Sequence, residues 1–152
     1  MFNGMIIPCE SGIIANGVDR LTPSQRSFLM SRIRSKNTRP EMVVRRLIHQ
    51  MGFRYRLHSK NLPGRPDLVF ASRRKVIFVN GCFWHSHGNC RIAGVPTSNK
   101  EYWAAKLERT RTRDKSNTAK LRRLKWKVKT VWECELADLN ALSLRIVRFL
   151  KT

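Results

Sequence analysis

Cys82-x4-His87-x2-Cys90 gathers two thiols and an imidazole into one short stretch, and Cys134 lies far downstream at the end of an apolar run. Three cysteines and one histidine satisfy a closed tetrahedral zinc site, whose work is structural. A disulfide framework is open by count, since the chain has four cysteines with Cys9. The N-terminus shows no basic region leading into an apolar one, so no secretory signal is read there, and cysteines beside a histidine then read better as metal ligands than as bridges. The bland alternative is two buried thiols and an exposed His87. Cys9 is read as an unliganded thiol.

Asp67 offers different chemistry. It follows Pro66 at the mouth of the apolar run Leu68-Val69-Phe70. A carboxylate there is a hard ligand suited to Mg²⁺, which takes few protein ligands and completes its shell with phosphate oxygens and water. Many nucleases carry an acid-x-Lys triplet on the following strand. Here that place is Phe78-Val79-Asn80, so a basic group must come from elsewhere. His85 is the nearest in sequence, and its unperturbed pKa near neutrality suits proton transfer. The alternative for His85 is a histidine merely hydrogen-bonded beside zinc. Phe83-Trp84 and Tyr102-Trp103 are aromatic pairs in basic surroundings. Core packing is their usual fate, but Phe83-Trp84 sits between a proposed metal ligand and two histidines, where deep burial is harder and flat rings can stack on or wedge between bases.

The elements that must position these groups follow from pattern. Thr22-Pro23-Ser24-Gln25 and Thr38-Arg39-Pro40-Glu41 each read as a helix start with a capping box. The first helix is equally a core helix or a basic arm, and Glu41 has a purely local reason to be acidic. The second helix ends at Gly52. Phe53 to His58 alternates as a strand, and His49 and His58 are read as surface or structural residues. Asp67–Phe70 and Val76–Val79 are strands joined by a basic turn. Ser98-x-x-Glu101 caps a long basic helix, Trp126–Trp132 is a strand, and Leu136–Leu150 is a packing helix. The expected fold is an α/β domain with a small mixed sheet flanked by helices over residues 21–152. Residues 1–20 are expected to form a flexible extension.

The chain has 152 residues, enough for one ordinary domain, and a formal net charge of +21. Such a surface attracts polyanions. In the long helix, Arg109/Arg113 and Arg111/Lys115 are like-charged pairs at helical spacing, which a polyanion would relieve. No apolar run reaches the roughly 20 residues of a membrane span. Nucleic acid is therefore the expected partner and a membrane is not.

GRPDLVF, VIFVNGCFWHSH and VWECEL, with the Thr38–Glu41 helix start and Tyr102-Trp103, resemble the very-short-patch repair (Vsr) DNA mismatch endonucleases from about Leu21 onward. The resemblance implies a restriction-endonuclease-like fold with a structural zinc. It also implies Mg²⁺-dependent nicking of double-stranded DNA on the 5′ side of the thymine at T:G mismatches, which arise by deamination of 5-methylcytosine. Carried onto this chain, Asp67 and the main-chain carbonyl of Val79 hold Mg²⁺. His85, supported by Asp114, acts on the attacking water, and Glu41 holds metal-bound waters. Cys82, His87, Cys90 and Cys134 bind Zn²⁺. Phe83, Trp84 and Trp103 wedge at the mismatch from the major groove and Met30 from the minor groove. Asn80 stands where the family usually has His, near the metal. The resemblance further implies a monomer at the nucleoid of a bacterial cytoplasm, with mismatch-repair proteins as partners. Two alternatives accompany it. One is a nuclease of the same fold with another mismatch or sequence preference; the other is a zinc-stabilised DNA-binding protein whose catalysis is impaired at Asn80.

Overall fold

The computed structural model describes residues 21–32, 36–94 and 96–152. Helices α1 (Pro23–Arg32) and α2 (Arg39–Gln50) precede strands β1 (Arg56–Leu57), β2 (Leu68–Phe70) and β3 (Lys75–Asn80). Helix α3 (Lys100–Arg123), strand β4 (Lys127–Trp132) and helix α4 (Leu139–Lys151) complete the chain. This is the helix and strand order expected from pattern. Residues 1–20, with Cys9, lie outside the described residues, as do Ile33, Arg34 and Ser35.

The four strands form one sheet in the order β1-β2-β3-β4. The first two pairings are antiparallel and β3–β4 is parallel, with Val79 opposite Val131 and Asn80 opposite Trp132. A parallel pair needs a long crossover, and α3 supplies it. Side chains alternate between the two faces, as strand geometry dictates. Leu68, Phe70, Ile77 and Val131 pack under α2 and α4, joined by Val44, Ile48, Leu142, Ile146 and Leu150. Val69 and Val76 face the other way and meet Leu121 of α3, with Phe78 and Val128 beside them. Helix, sheet and helix therefore make three layers, and both sheet faces are covered.

Both predicted N-terminal caps form. The Gln25 carboxamide accepts from Thr22 N–H at 3.0 Å and Thr22 Oγ1 accepts from Gln25 N–H. Thr38 Oγ1 accepts from Glu41 N–H, but Glu41 reaches past Thr38 to the N–H of Asn37 at 2.7 Å. Other boundaries differ from the pattern. The first strand pairs only at Arg56–Leu57. The third helix starts at Lys100 behind Asn99 in the left-handed region, with no side-chain cap hydrogen bond from Asn99. The last helix begins at Leu139, because Glu133–Ala137 winds as a 3₁₀ turn and Asp138 caps α4 through Ala141 N–H at 2.9 Å. The connection after β2 is likewise a 3₁₀ turn, Ala71–Arg73, closed by Arg74 in the left-handed region.

Gly64 shows why the turn before Asp67 tolerates no side chain. Its φ is +75°, and a Cβ there would meet the Asn117 side chain of α3 at 3.0 Å. The turn is thereby pressed onto α3, which aims Pro66-Asp67 into the sheet.

Candidate active site and metal cluster

Asp67 sits at the open end of β2 and is held by the neighbouring strand: Val79 N–H donates to its Oδ2 at 2.7 Å. A strand residue that turns its N–H toward one neighbour turns its carbonyl the same way, so the Val79 oxygen faces the Asp67 flank. Burial raises the Asp67 pKa from 3.8 to about 6, Val79 N–H opposes the rise, Glu41 adds to it, and Arg45 and His85 oppose it. His85 and Asp67 thus stand close enough to sense each other's charge.

Glu41 is brought in from α2, where it is only 2% exposed. Its carboxylate is paired with the Arg45 guanidinium one turn on and lies 3.2 Å from His58 Nε2. His58 Nδ1 is 3.9 Å from Asp67 Oδ1. Donor atoms of Glu41, His58 and Asp67 all lie within 4.8 Å of one another, a spacing compatible with one shared cation. His49, by contrast, is exposed.

After β3 the chain winds tightly, with His85 N–H donating to Gly81 O and His87 N–H to Cys82 O at 2.9 Å. This winding, with Ser86 at φ +50°, sends the two histidines to different partners. His85 Nδ1 meets Asp114 Oδ2 of α3 at 2.5 Å. His87 Nδ1 lies 3.6 Å from Cys82 Sγ and 3.4 Å from Cys134 Sγ. A tetrahedral zinc with bonds of about 2.3 Å to sulfur and about 2.0 Å to nitrogen spaces those donors by roughly 3.5 Å. Cys90 completes the set, and all four donors fall within 4.8 Å of each other. The three thiols are unbridged, and burial pushes the Cys82 thiol up. The Trp132 indole stacks on His87 at 4.1 Å and 7°, and Cys134 N–H donates to Cys82 Sγ at 3.4 Å. Ring orientation and sulfur charge are therefore supported from outside the donor set.

The aromatic group packs against itself. Phe83 contacts Trp84 at 4.8 Å and Trp103 at 5.4 Å, edge to face. Phe83 is 3% exposed and Trp103 fully buried, so the expectation that Phe83 escapes burial is not met. The ring lies over Trp103 rather than toward solvent. Trp84 is half-buried. Lys106 Nζ lies 5.9 Å from the Trp84 ring centroid and 5.8 Å from that of Tyr102. The same nitrogen reaches Met30 Sδ at 3.5 Å, which brings α1 to this edge.

The residues singled out in sequence thus fall into three adjoining groups: Asp67 with Glu41, Val79 and His85–Asp114; the Cys82–His87–Cys90–Cys134 cluster; and Met30 with the aromatics. Asn80 ends β3 beside Val79. Sequence reasoning missed His58, Arg45 and Lys106. The position of His58 across from Asp67 was the available signal, and it required the β1–β2 register.

The family model described as DNA mismatch endonuclease Vsr matches residues 18–91. The type II nicking enzyme V.XorIIP of Xanthomonas oryzae pv. oryzae is 56% identical over 128 residues, covering 84% of this chain and 93% of that protein. The type II nicking enzyme V.NmeAIP of Neisseria meningitidis is 42% identical over 79% of this chain and 85% of its own length. The DNA mismatch endonuclease Vsr of Escherichia coli is 39% identical over 78% of this chain and 75% of that protein. On this likeness the chain belongs to the DNA mismatch endonuclease Vsr family and is a DNA endonuclease.

Proposed function

We propose that this endonuclease nicks double-stranded DNA 5′ of the thymine at T:G mismatches, with Mg²⁺ at Asp67 and Zn²⁺ in the cysteine–histidine cluster, on a restriction-endonuclease-like fold. The observation that carries the reading is the convergence of Asp67, Glu41 and the His85–Asp114 pair at the open ends of β2 and β3. Asp67 and the Val79 carbonyl would hold the divalent ion, which would supply positive charge to the phosphate and acidify water. Glu41 would orient the water. Asp114 accepts the Nδ1 proton of His85, leaving Nε2 as the acceptor nitrogen. His85 then takes the proton of the attacking water. Asn80 can hydrogen-bond beside the ion but cannot take a proton at neutral pH, which leaves proton transfer to His85.

Zinc joins the turn after β3 to the end of β4 and so keeps His85 in place. Trp84, packed on Phe83 and Trp103, is the ring presented to the major groove at the mismatch, and Met30 approaches from the other side. The charge of +21 holds the duplex through its phosphates. The chain acts as a monomer on bacterial chromosomal DNA, alongside mismatch-repair proteins. No helix of the described residues is long and apolar enough to cross a membrane.

A nicking assay on T:G and T:A duplexes, with Mg²⁺ or with EDTA, tests the reading. Expected is a single-strand break 5′ of the mismatched thymine with Mg²⁺ alone. Equal cutting of T:A would favour a different specificity. Binding of T:G without any break would mark an impaired site.

A further inference from the structure

The mechanism above gives no part to His58 or Arg45, yet both are built into the carboxylate centre at visible cost. His58 has φ +46°, a left-handed backbone that non-glycine residues rarely adopt and that gathers at functional positions. Its N–H donates to the Asp67 carbonyl at 3.4 Å, so the strained residue stands directly across from the acid. Arg45 is 7% exposed. Its Nη1 donates to Asn37 Oδ1 at 2.8 Å, and its Nη2 donates both to Glu41 Oε1 and to His58 Nε2, the latter at 2.7 Å. Arg45 Nε is the one buried side-chain nitrogen or oxygen among the described residues with no hydrogen-bond partner. The guanidinium has been set for its terminal nitrogens at the expense of the inner one.

A guanidinium only donates. The Arg45 contact therefore calls for a His58 Nε2 that accepts, with the ring proton on Nδ1, 3.9 Å from Asp67 Oδ1, while Glu41 Oε1 stands 3.2 Å from the same Nε2. Glu41 in turn is gripped by Arg45 on one oxygen and by Asn37 N–H on the other. His58 is the contact that joins the Glu41 side of the centre to the Asp67 side.

We propose that His58 is a positioning residue of the divalent-cation centre: its ring anchors the Arg45 fork against Glu41 and fixes both carboxylates for the ion. The inference rests on Asp67 as the ion's ligand. Outer contacts of this kind are worth about ten- to a hundredfold in metal affinity.

The test titrates Mn²⁺ onto the zinc-loaded full chain and reads free ion by its paramagnetic resonance signal, with thermal unfolding recorded beside it. His58→Leu keeps bulk without polar atoms and is expected to weaken Mn²⁺ binding about ten- to a hundredfold. His58→Gln keeps an acceptor for Arg45 and is expected to stay within about threefold of the parent. Arg45→Lys keeps charge but cannot bridge Glu41 and His58 together, and is expected to lose about tenfold or more. Asp67→Asn is the control and is expected to abolish binding. Parental affinity in His58→Leu or Arg45→Lys, or a His58→Gln as weak as His58→Leu, overturns the proposal while leaving the Asp67 assignment standing. A parent that binds no Mn²⁺, or binds it unchanged in Asp67→Asn, sinks both.

Discussion

Asp114 Oδ2 lies 2.5 Å from Nδ1 of His85, so the imidazole is tied to α3 and not only to the turn that carries it. Orientation of the ring therefore depends on a helix distant in sequence. Removing His85 (His85→Ala) should slow single-turnover nicking by about two to four decades with mismatch binding retained. Asp114→Asn should lower the rate in the same direction by disturbing the tautomer. A loss under tenfold for His85→Ala would reduce that residue to a spectator.

Asp67 makes the centre sensitive to acid. Its pKa of about 6 in the fold, against 3.8 unperturbed, means that the folded chain binds the proton more tightly. Divalent-ion affinity should then fall as pH drops below about 6, approaching tenfold per unit, because proton and ion compete for one carboxylate. An affinity flat from pH 5 to 7 would contradict the shift.

The same shift predicts a stability effect of opposite sense. Without metal, ionising the half-buried Asp67 costs the fold up to about 3 kcal/mol, and that cost develops as pH rises from 3.8 to about 6. Asp67→Asn should therefore stabilise the metal-free protein above pH 6, on the order of 1–2 kcal/mol, and leave it unchanged near pH 3. Denaturant unfolding at both pH values decides it.

Trp84 and Trp103 are expected to separate cleanly. Trp103 is fully buried, so Trp103→Ala should cost about 3–5 kcal/mol of folding stability. Trp84→Ala should cost far less and instead lower the preference for T:G over paired DNA. Unchanged discrimination in a folded Trp84→Ala removes the wedge.

Element order was legible because each element carries a local mark: two Thr-capped helix starts, Gly52, the apolar runs of β2 and β3, and the Ser/Arg turn between them. The cysteine cluster was legible for a related reason, since three of its four donors are close in sequence. The register and the burial were not. Phe83 reads as exposed from its polar neighbours but is covered by Trp103, a contact across α3 that no local pattern encodes. Asp138, not Leu136, opens α4 because Glu133–Ala137 winds as a 3₁₀ turn. His58 looked like a surface histidine because only strand pairing shows that it stands opposite Asp67.

The parallel pairing of β3 with β4 places Cys82 and Cys134 just beyond the same end of two adjacent strands. That end also carries Val79 and leads into His85. On the proposed reading, with magnesium at the carboxylates and zinc among the cysteines, a chelator would have two points of attack. Inhibition that sets in at once and is reversed by fresh magnesium would report the carboxylate centre. Inhibition that grows over time and answers only to resupplied zinc would report the splaying of two strand tails, and the time course would tell the two apart.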